Sequence, residues 1–168
     1  MVVGVVMRLP NYLEGVLRSE CQVDGDDANP VLERMVNGSR FKRQLKAVLI
    51  DGAALGGFNV VDIDALHRCI GLPVITVTRD PPDLEEMEAA LRKHLPDWER
   101  RLEVLRRKEL HKVETGHKPI LISVAGTSLD EADELLKKSI VRGAVPEPLR
   151  VAHIVASGLA KGESRGRA

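Results

Sequence analysis

The segment that most restricts the fold is Lys46-Ala47-Val48-Leu49-Ile50, an apolar run that stops at Asp51-Gly52. A run this short, apolar on successive rather than alternate residues, fits a strand buried on both faces of a parallel-type sheet. Helical and extended patterns alternate after it. Val60 to Ile70 reads as a helix closed by Gly71, and Pro73 to Thr78 as a second buried strand that stops at Arg79. Leu84, Met87, Leu91 and Leu95 recur at helical spacing until Pro96, and Trp98, Leu102 and Leu105 continue on another helix. Leu110 to Glu114 and Ile120 to Val124 read as a pair of strands around Gly116. Ser128 opens a helix through Ile140, with Asp130 and Glu131 where a first turn favours negative charge. Pro146 and Pro148 start a last helix, with Leu149, Ala152, Ala156 and Leu159 on one face.

Ahead of that run the pattern differs. Val2 to Met7 is almost wholly apolar and reads as a buried strand, and Tyr12 to Val23 as a second one antiparallel to it. The loop Asp24-Gly25-Asp26-Asp27 reads as a glycine turn and an Asx cap ahead of Pro30, rather than as a metal loop. Val31, Leu32, Met35 and Val36 give one face of a short helix closed by Asn37-Gly38. An antiparallel pair followed by alternating elements predicts an α/β fold. The expected organisation is one domain over residues 1–160 and a polar tail over 161–168.

Only 2% of the 168 residues are aromatic, so the core must be aliphatic. The net charge is zero although 30% of residues are charged, whereas a chain that coats nucleic acid non-specifically is usually basic. Cys21 and Cys69 are far apart and form no C-x-x-C pair, and Cys69, between Leu66 and Ile70, reads as a core thiol. No apolar run is long enough to span a bilayer. The expectation is a cytoplasmic protein without a membrane partner, its oligomeric state left open.

Asp51 is the sharpest chemical feature. A carboxylate at the end of an α/β strand, followed by glycines, can hold Mg²⁺ that also meets phosphate, or it can cap the next loop. Arg79 ends the neighbouring strand, so both should lie on one rim. Its fork suits phosphate, or an ion pair with Asp80 or Asp83. Arg40, Lys42 and Arg43 form a basic run that is either a solvated face or a contact to a nucleic-acid backbone. The five histidines have no metal-ligand spacing, and His153 reads as a packed residue on an apolar helical face.

Several segments together resemble a known family. Val48-Leu49-Ile50-Asp51-Gly52, Gly71-Leu72-Pro73-Val74-Ile75, Lys118-Pro119-Ile120-Leu121-Ile122-Ser123 leading to Ser128-Leu129-Asp130-Glu131-Ala132, and Val145-Pro146-Glu147-Pro148-Leu149-Arg150-Val151-Ala152 follow the order of endonuclease V enzymes. The stretches MVNGSRF, GGFNVVDI, VRGAVPEPLRVAHIVASG and GESRGRA resemble the archaeal DUF99 (UPF0215) family. The resemblance implies a ribonuclease-H-like mixed sheet flanked by helices. Distant endonuclease V enzymes cut DNA or RNA beside deaminated adenine using Mg²⁺. Carried over by position, this implies Asp51 as metal ligand, Asp51 and Arg79 as catalytic residues, and Arg40, Phe41, Arg43, Asn59 and Arg150 as nucleic-acid contacts.

This chain departs from that pattern. Arg79 stands where the enzymes have a lysine. Val124-Ala125-Gly126-Thr127 lacks their histidine, and Asn37-Gly38-Ser39-Arg40-Phe41 replaces their wedge and glutamate, leaving Phe41 as the nearby aromatic. Their first aspartate sits on a central strand that would precede Val2. The expectation is therefore an N-terminally short version without that strand, with a gap in the sheet between the Val2 and Val48 strands. Two readings follow: metal-dependent nucleic-acid binding or cleavage with an incomplete site, or a non-catalytic module that binds a nucleotide or a protein.

Overall fold

The computed structural model describes residues 1–164. Residues 165–168, part of the expected tail and of the GESRGRA stretch, lie outside them. Strands β1 (Val2–Arg8) and β2 (Tyr12–Ser19) form an antiparallel pair by themselves. Helix α1 (Ala28–Asn37) follows. Then come β3 (Val48–Asp51), a two-residue pair β4 (Ala54–Leu55) and β5 (Asn59–Val60), α2 (Ile63–Ile70) and β6 (Val74–Thr78). The chain continues through α3 (Leu84–His94), α4 (Trp98–Arg107), β7 (His111–Val113), β8 (Ile120–Ala125), α5 (Leu129–Ser139) and α6 (Glu147–Lys161).

The main sheet has the order β3-β6-β8-β7, with β3 and β6 parallel and the other neighbours antiparallel. Period-two alternation divides its side chains between two cores. Val74 and Ala125 join Leu32, Val36, Leu66 and Ile70 from α1 and α2 on one face. Ile75, Val77, Ile120 and Ile122 meet Ala132, Leu136 and Leu149 from α5 and α6 on the other. Aliphatic side chains fill both cores.

Local chemistry sets several boundaries. Asp62 caps α2, accepting from the Asp64 and Ala65 amides at 3.1 and 3.0 Å. Gly71 ends it at φ 65°, a left-handed conformation that favours glycine. Ser128 and Glu131 form a reciprocal capping box at the start of α5.

The structure corrects five local expectations. The second strand stops at Ser19, short of Val23, because residues 22–27 turn to bond the 56–59 loop. Asp27 does not cap α1; its carboxylate accepts from the Gln22 amide and from Asn59. The helix expected from Val60 starts at Ile63, after β4 and β5. Cys69 is exposed, because α2 buries its Ile63, Leu66 and Ile70 face. The last helix runs through Lys161, the first residue of the expected tail.

The hairpin does not join the main sheet. β1 pairs with β2 alone, and β3 is an edge strand, so among the described residues no strand lies between them.

Candidate nucleic-acid rim

Asp51 stands opposite Val77 in the parallel register of β3 and β6, and Arg79 follows the last residue of β6. Both therefore occupy the carboxyl-end rim of two neighbouring parallel strands, where ligands of open α/β sheets gather. Both are exposed, and among the described residues neither side chain forms a hydrogen bond or an ion pair. The backbone rather than Asp51 secures the turn: the Gly52 amide donates to the Val77 carbonyl at 2.8 Å, and Gly52 takes φ 77°. Asp83 caps α3 through the Glu85 and Glu86 amides at 3.1 and 3.0 Å, leaving Arg79 free of it.

The remaining candidates divide. Arg40 is exposed and its guanidinium lies 4.7 Å over the Phe41 ring, a cation–π contact. Phe41 is half-buried, with its ring packed so closely against β2 that a Cβ on Gly15 would come within 2.7 Å of it. The Phe41 ring is thus engaged in packing against the hairpin. Arg43 is exposed on a short 3-10 turn, whereas Lys42 points inward and bonds the Ile70 carbonyl.

Asn59 and Arg150 are both held by internal partners. Asn59 is fully buried. Its Oδ1 accepts from the Ala28 amide at 2.9 Å, and its Nδ2 donates to the Gln22 carbonyl at 3.0 Å and to Asp27 at 2.7 Å. Both of its amide hydrogens are committed, and none remains for a base or phosphate. Arg150 is half-buried and holds Glu147 through two bonds of 2.8 and 2.5 Å. That bond holds the Glu147 carboxyl below its ordinary range against the opposing effect of burial. A phosphate would have to break this fork first.

The Asp24–Asp27 loop is structural, as its glycine-turn reading predicts. Asp24 accepts from the Phe58 amide at 2.7 Å, and a side chain on Gly57 would collide with that carboxylate. Arg101 is buried on α4 and donates to the Gly25 and Phe58 carbonyls at 2.7 and 2.6 Å, and to Asp97 at 2.9 Å. Sequence reasoning missed this clamp; the signal was one arginine on the same stripe as Trp98, Leu102 and Leu105. His153, expected to be packed, is exposed.

Two-metal hydrolysis requires several carboxylates converging on the ions. Among the described residues no group of three His, Cys, Asp or Glu is placed to hold a metal ion. Asp51 stands alone at the rim, and the described residues do not fit such a centre. Among the same residues, no helix is long and apolar enough to cross a membrane.

A family profile described as Endonuclease dU matches residues 1–160. A UPF0215 protein of Methanothermobacter thermautotrophicus is 46% identical, with the alignment spanning 100% of this chain and 82% of the relative. Another, of Methanosarcina acetivorans, is 47% identical over 100% of this chain and 87% of its own length. Among solved structures, a protein of Archaeoglobus fulgidus superposes with a TM-score of 0.85 at 40% identity, covering 94% of this chain and 88% of that one. Human ENDOV superposes with a TM-score of 0.54 at 17% identity, covering 89% of this chain and 73% of that one, a likeness of fold alone. The expected ribonuclease-H-like architecture is thus the observed one, and the chain belongs to the Endonuclease dU family.

Proposed function

We propose that this protein binds DNA or RNA at the rim where β3 and β6 end, as a single unit over residues 1–160. The observation that carries this reading is the pair Asp51 and Arg79, exposed on adjacent parallel strands with no partner among the described residues. An unpaired guanidinium fork there suits a phosphate. The exposed Arg40 and Arg43 are the remaining backbone contacts. The family's name adds an endonuclease acting on dU, and its kinship with endonuclease V raises divalent-metal use for this chain. Residues 1–164 do not complete a two-metal centre, so no hydrolytic step is assigned to them.

A second reading, a non-catalytic module on the same fold, is favoured by the commitments of Asn59, Arg150 and Phe41 to internal contacts. One assay separates the two. Strands containing deoxyuridine, inosine or neither are incubated with Mg²⁺ or Mn²⁺, and both binding and cleavage are recorded for the parent and for Asp51→Ala. Cleavage lost in the variant supports metal-dependent hydrolysis. Binding without cleavage supports a reader, and neither leaves the module reading.

A further inference from the structure

The turn between β7 and β8 lies at the same end of the sheet as Asp51 and Arg79. Thr78 stands opposite Leu121 and Val113 opposite Ile120, so Arg79, which follows Thr78, and Lys118, which precedes β8, share that rim. β8 is about 5 Å from β6, and β7 about 10 Å. Beside the turn is a cavity of about 400 Å³, a volume that small-ligand pockets also have. The turn contributes Thr115, Gly116 and His117 to its lining, and the end of α5 and the loop after it contribute Lys137, Ile140 and Gly143. The turn is braced from within. The Thr115 hydroxyl accepts from the His117 amide at 3.0 Å and donates to the Lys118 carbonyl at 2.9 Å. Glu114 is paired with Lys112, and Lys137 with Asp133. By contrast, the side chains of His117, Lys118 and Arg142 are exposed and form no hydrogen bond or ion pair among the described residues.

We propose that this cavity is a second nucleic-acid subsite, which seats one unstacked nucleotide of a single strand whose neighbouring phosphates lie on the rim. The inference rests on the rim reading and adds to it the path of the strand and its single-stranded form. Lys118 follows His117, and Arg142 stands between Val141 and Gly143, so two free cations border residues that line the cavity. Such cations suit phosphate. Inside, the last turn of α5 presents carbonyls that no further helical amide takes up. They accept from the amino group of a base and disfavour a phosphate. Phosphate therefore belongs at the cationic border and the base within. His117 supplies a flat ring for stacking, in a chain with only 2% aromatic residues. A duplex keeps its bases stacked and presents none to such a pocket, so the occupant is a single strand. At roughly 3.4 Å per nucleotide, the separation of about 10 Å between β6 and β7 takes about three nucleotides.

The test measures the affinity of labelled single strands in a ladder of lengths, from a dinucleotide upward, over a range of salt. The proteins are the parent, His117→Ala, the double variant Lys118→Gln with Arg142→Gln, and Arg79→Ala, each checked for an unchanged melting temperature. Gly116→Leu is added to fill the cavity: no atom lies within 4 Å of where a Cβ at Gly116 would stand, so the fold accommodates the side chain. In the parent, affinity should climb with length until the strand spans both rim and cavity. His117→Ala and Gly116→Leu should each lose on the order of 10-fold on the longer strands and nothing on the shortest. The double variant should lower the salt slope on long strands by about 1.4, or about 0.7 for each of two phosphates. Arg79→Ala should weaken every length. Long strands indifferent to the turn and loop changes, yet still weakened by Arg79→Ala, would overturn the subsite and leave the rim standing. Losses equal on short and long strands would overturn it too, since the general field rather than a seat in the cavity would be responsible. So would a matched duplex bound as tightly as the single strand. A parent that binds no strand of any length would overturn the rim reading and the subsite with it.

Discussion

The Asn59 side-chain amide donates to the Asp27 carboxylate at 2.7 Å, across 32 residues of sequence. With its bonds to Ala28 and Gln22, it ties the start of α1 to the loop before α2. Asn59→Ala removes all three partners from a fully buried site. The expected loss is roughly 1–3 kcal/mol, read from denaturant midpoints. A midpoint equal to the parent's would show that water replaces the amide at no cost.

The same bond has a pH signature. Hydrogen bonding from Asn59 holds the Asp27 carboxyl below its ordinary value, although burial opposes it. A depressed carboxylate stabilises the fold above its unfolded pKa, about 3.9, and loses that contribution as pH falls through the lowered folded value. In Asn59→Ala the acid limb of the stability curve should therefore be shallower. An acid limb as steep as the parent's would assign the dependence to other groups.

Arg101 ties α4 to two distant loops through the Gly25 and Phe58 carbonyls. Arg101→Met leaves both carbonyls short of a charged donor, with an expected cost of roughly 1.5–3 kcal/mol in thermal or chemical unfolding. Arg101→Lys should recover only part, because one ammonium lacks the planar fork that serves three acceptors at once. Full recovery by lysine would mean that charge alone, rather than fork geometry, holds the loops.

Phe41 and Gly15 form a tight pair, since a Cβ at Gly15 would approach the ring to 2.7 Å. Gly15→Ala should destabilise by roughly 1–3 kcal/mol, the usual range for overpacking. Adding Phe41→Leu should relieve part of that cost, and the two changes should be strongly non-additive in a double-mutant cycle. Additive effects would remove the ring from its assigned place against β2.

These three sites and the elements around them show where the sequence was readable and where it was not. The stop at Gly71 and the opening of α5 at Ser128 depend on residues at most a few positions apart, so their signals are local. β6 was readable because it is apolar on successive residues and buried on both faces. The internal bonds of Asn59 were not legible because its partners lie 31 to 37 residues away and nothing near it in the chain announces them. Arg101 was missed because α4 is rich in charge, and pattern alone does not separate the one arginine turned inward. At the site, strand ends placed Asp51 and Arg79 together, while the pairing of Arg150 with Glu147 required three-dimensional contacts to see.

The central claim is that an unpaired arginine at the end of β6 contacts nucleic acid. Its most direct measurement is the affinity of a labelled DNA or RNA strand for the parent, Arg79→Ala and Arg79→Lys over a range of salt. A phosphate contact predicts weaker binding by Arg79→Ala on every sequence, with the salt slope reduced by about 1, and partial recovery in Arg79→Lys. Equal affinity and an unchanged slope in all three proteins would contradict the account.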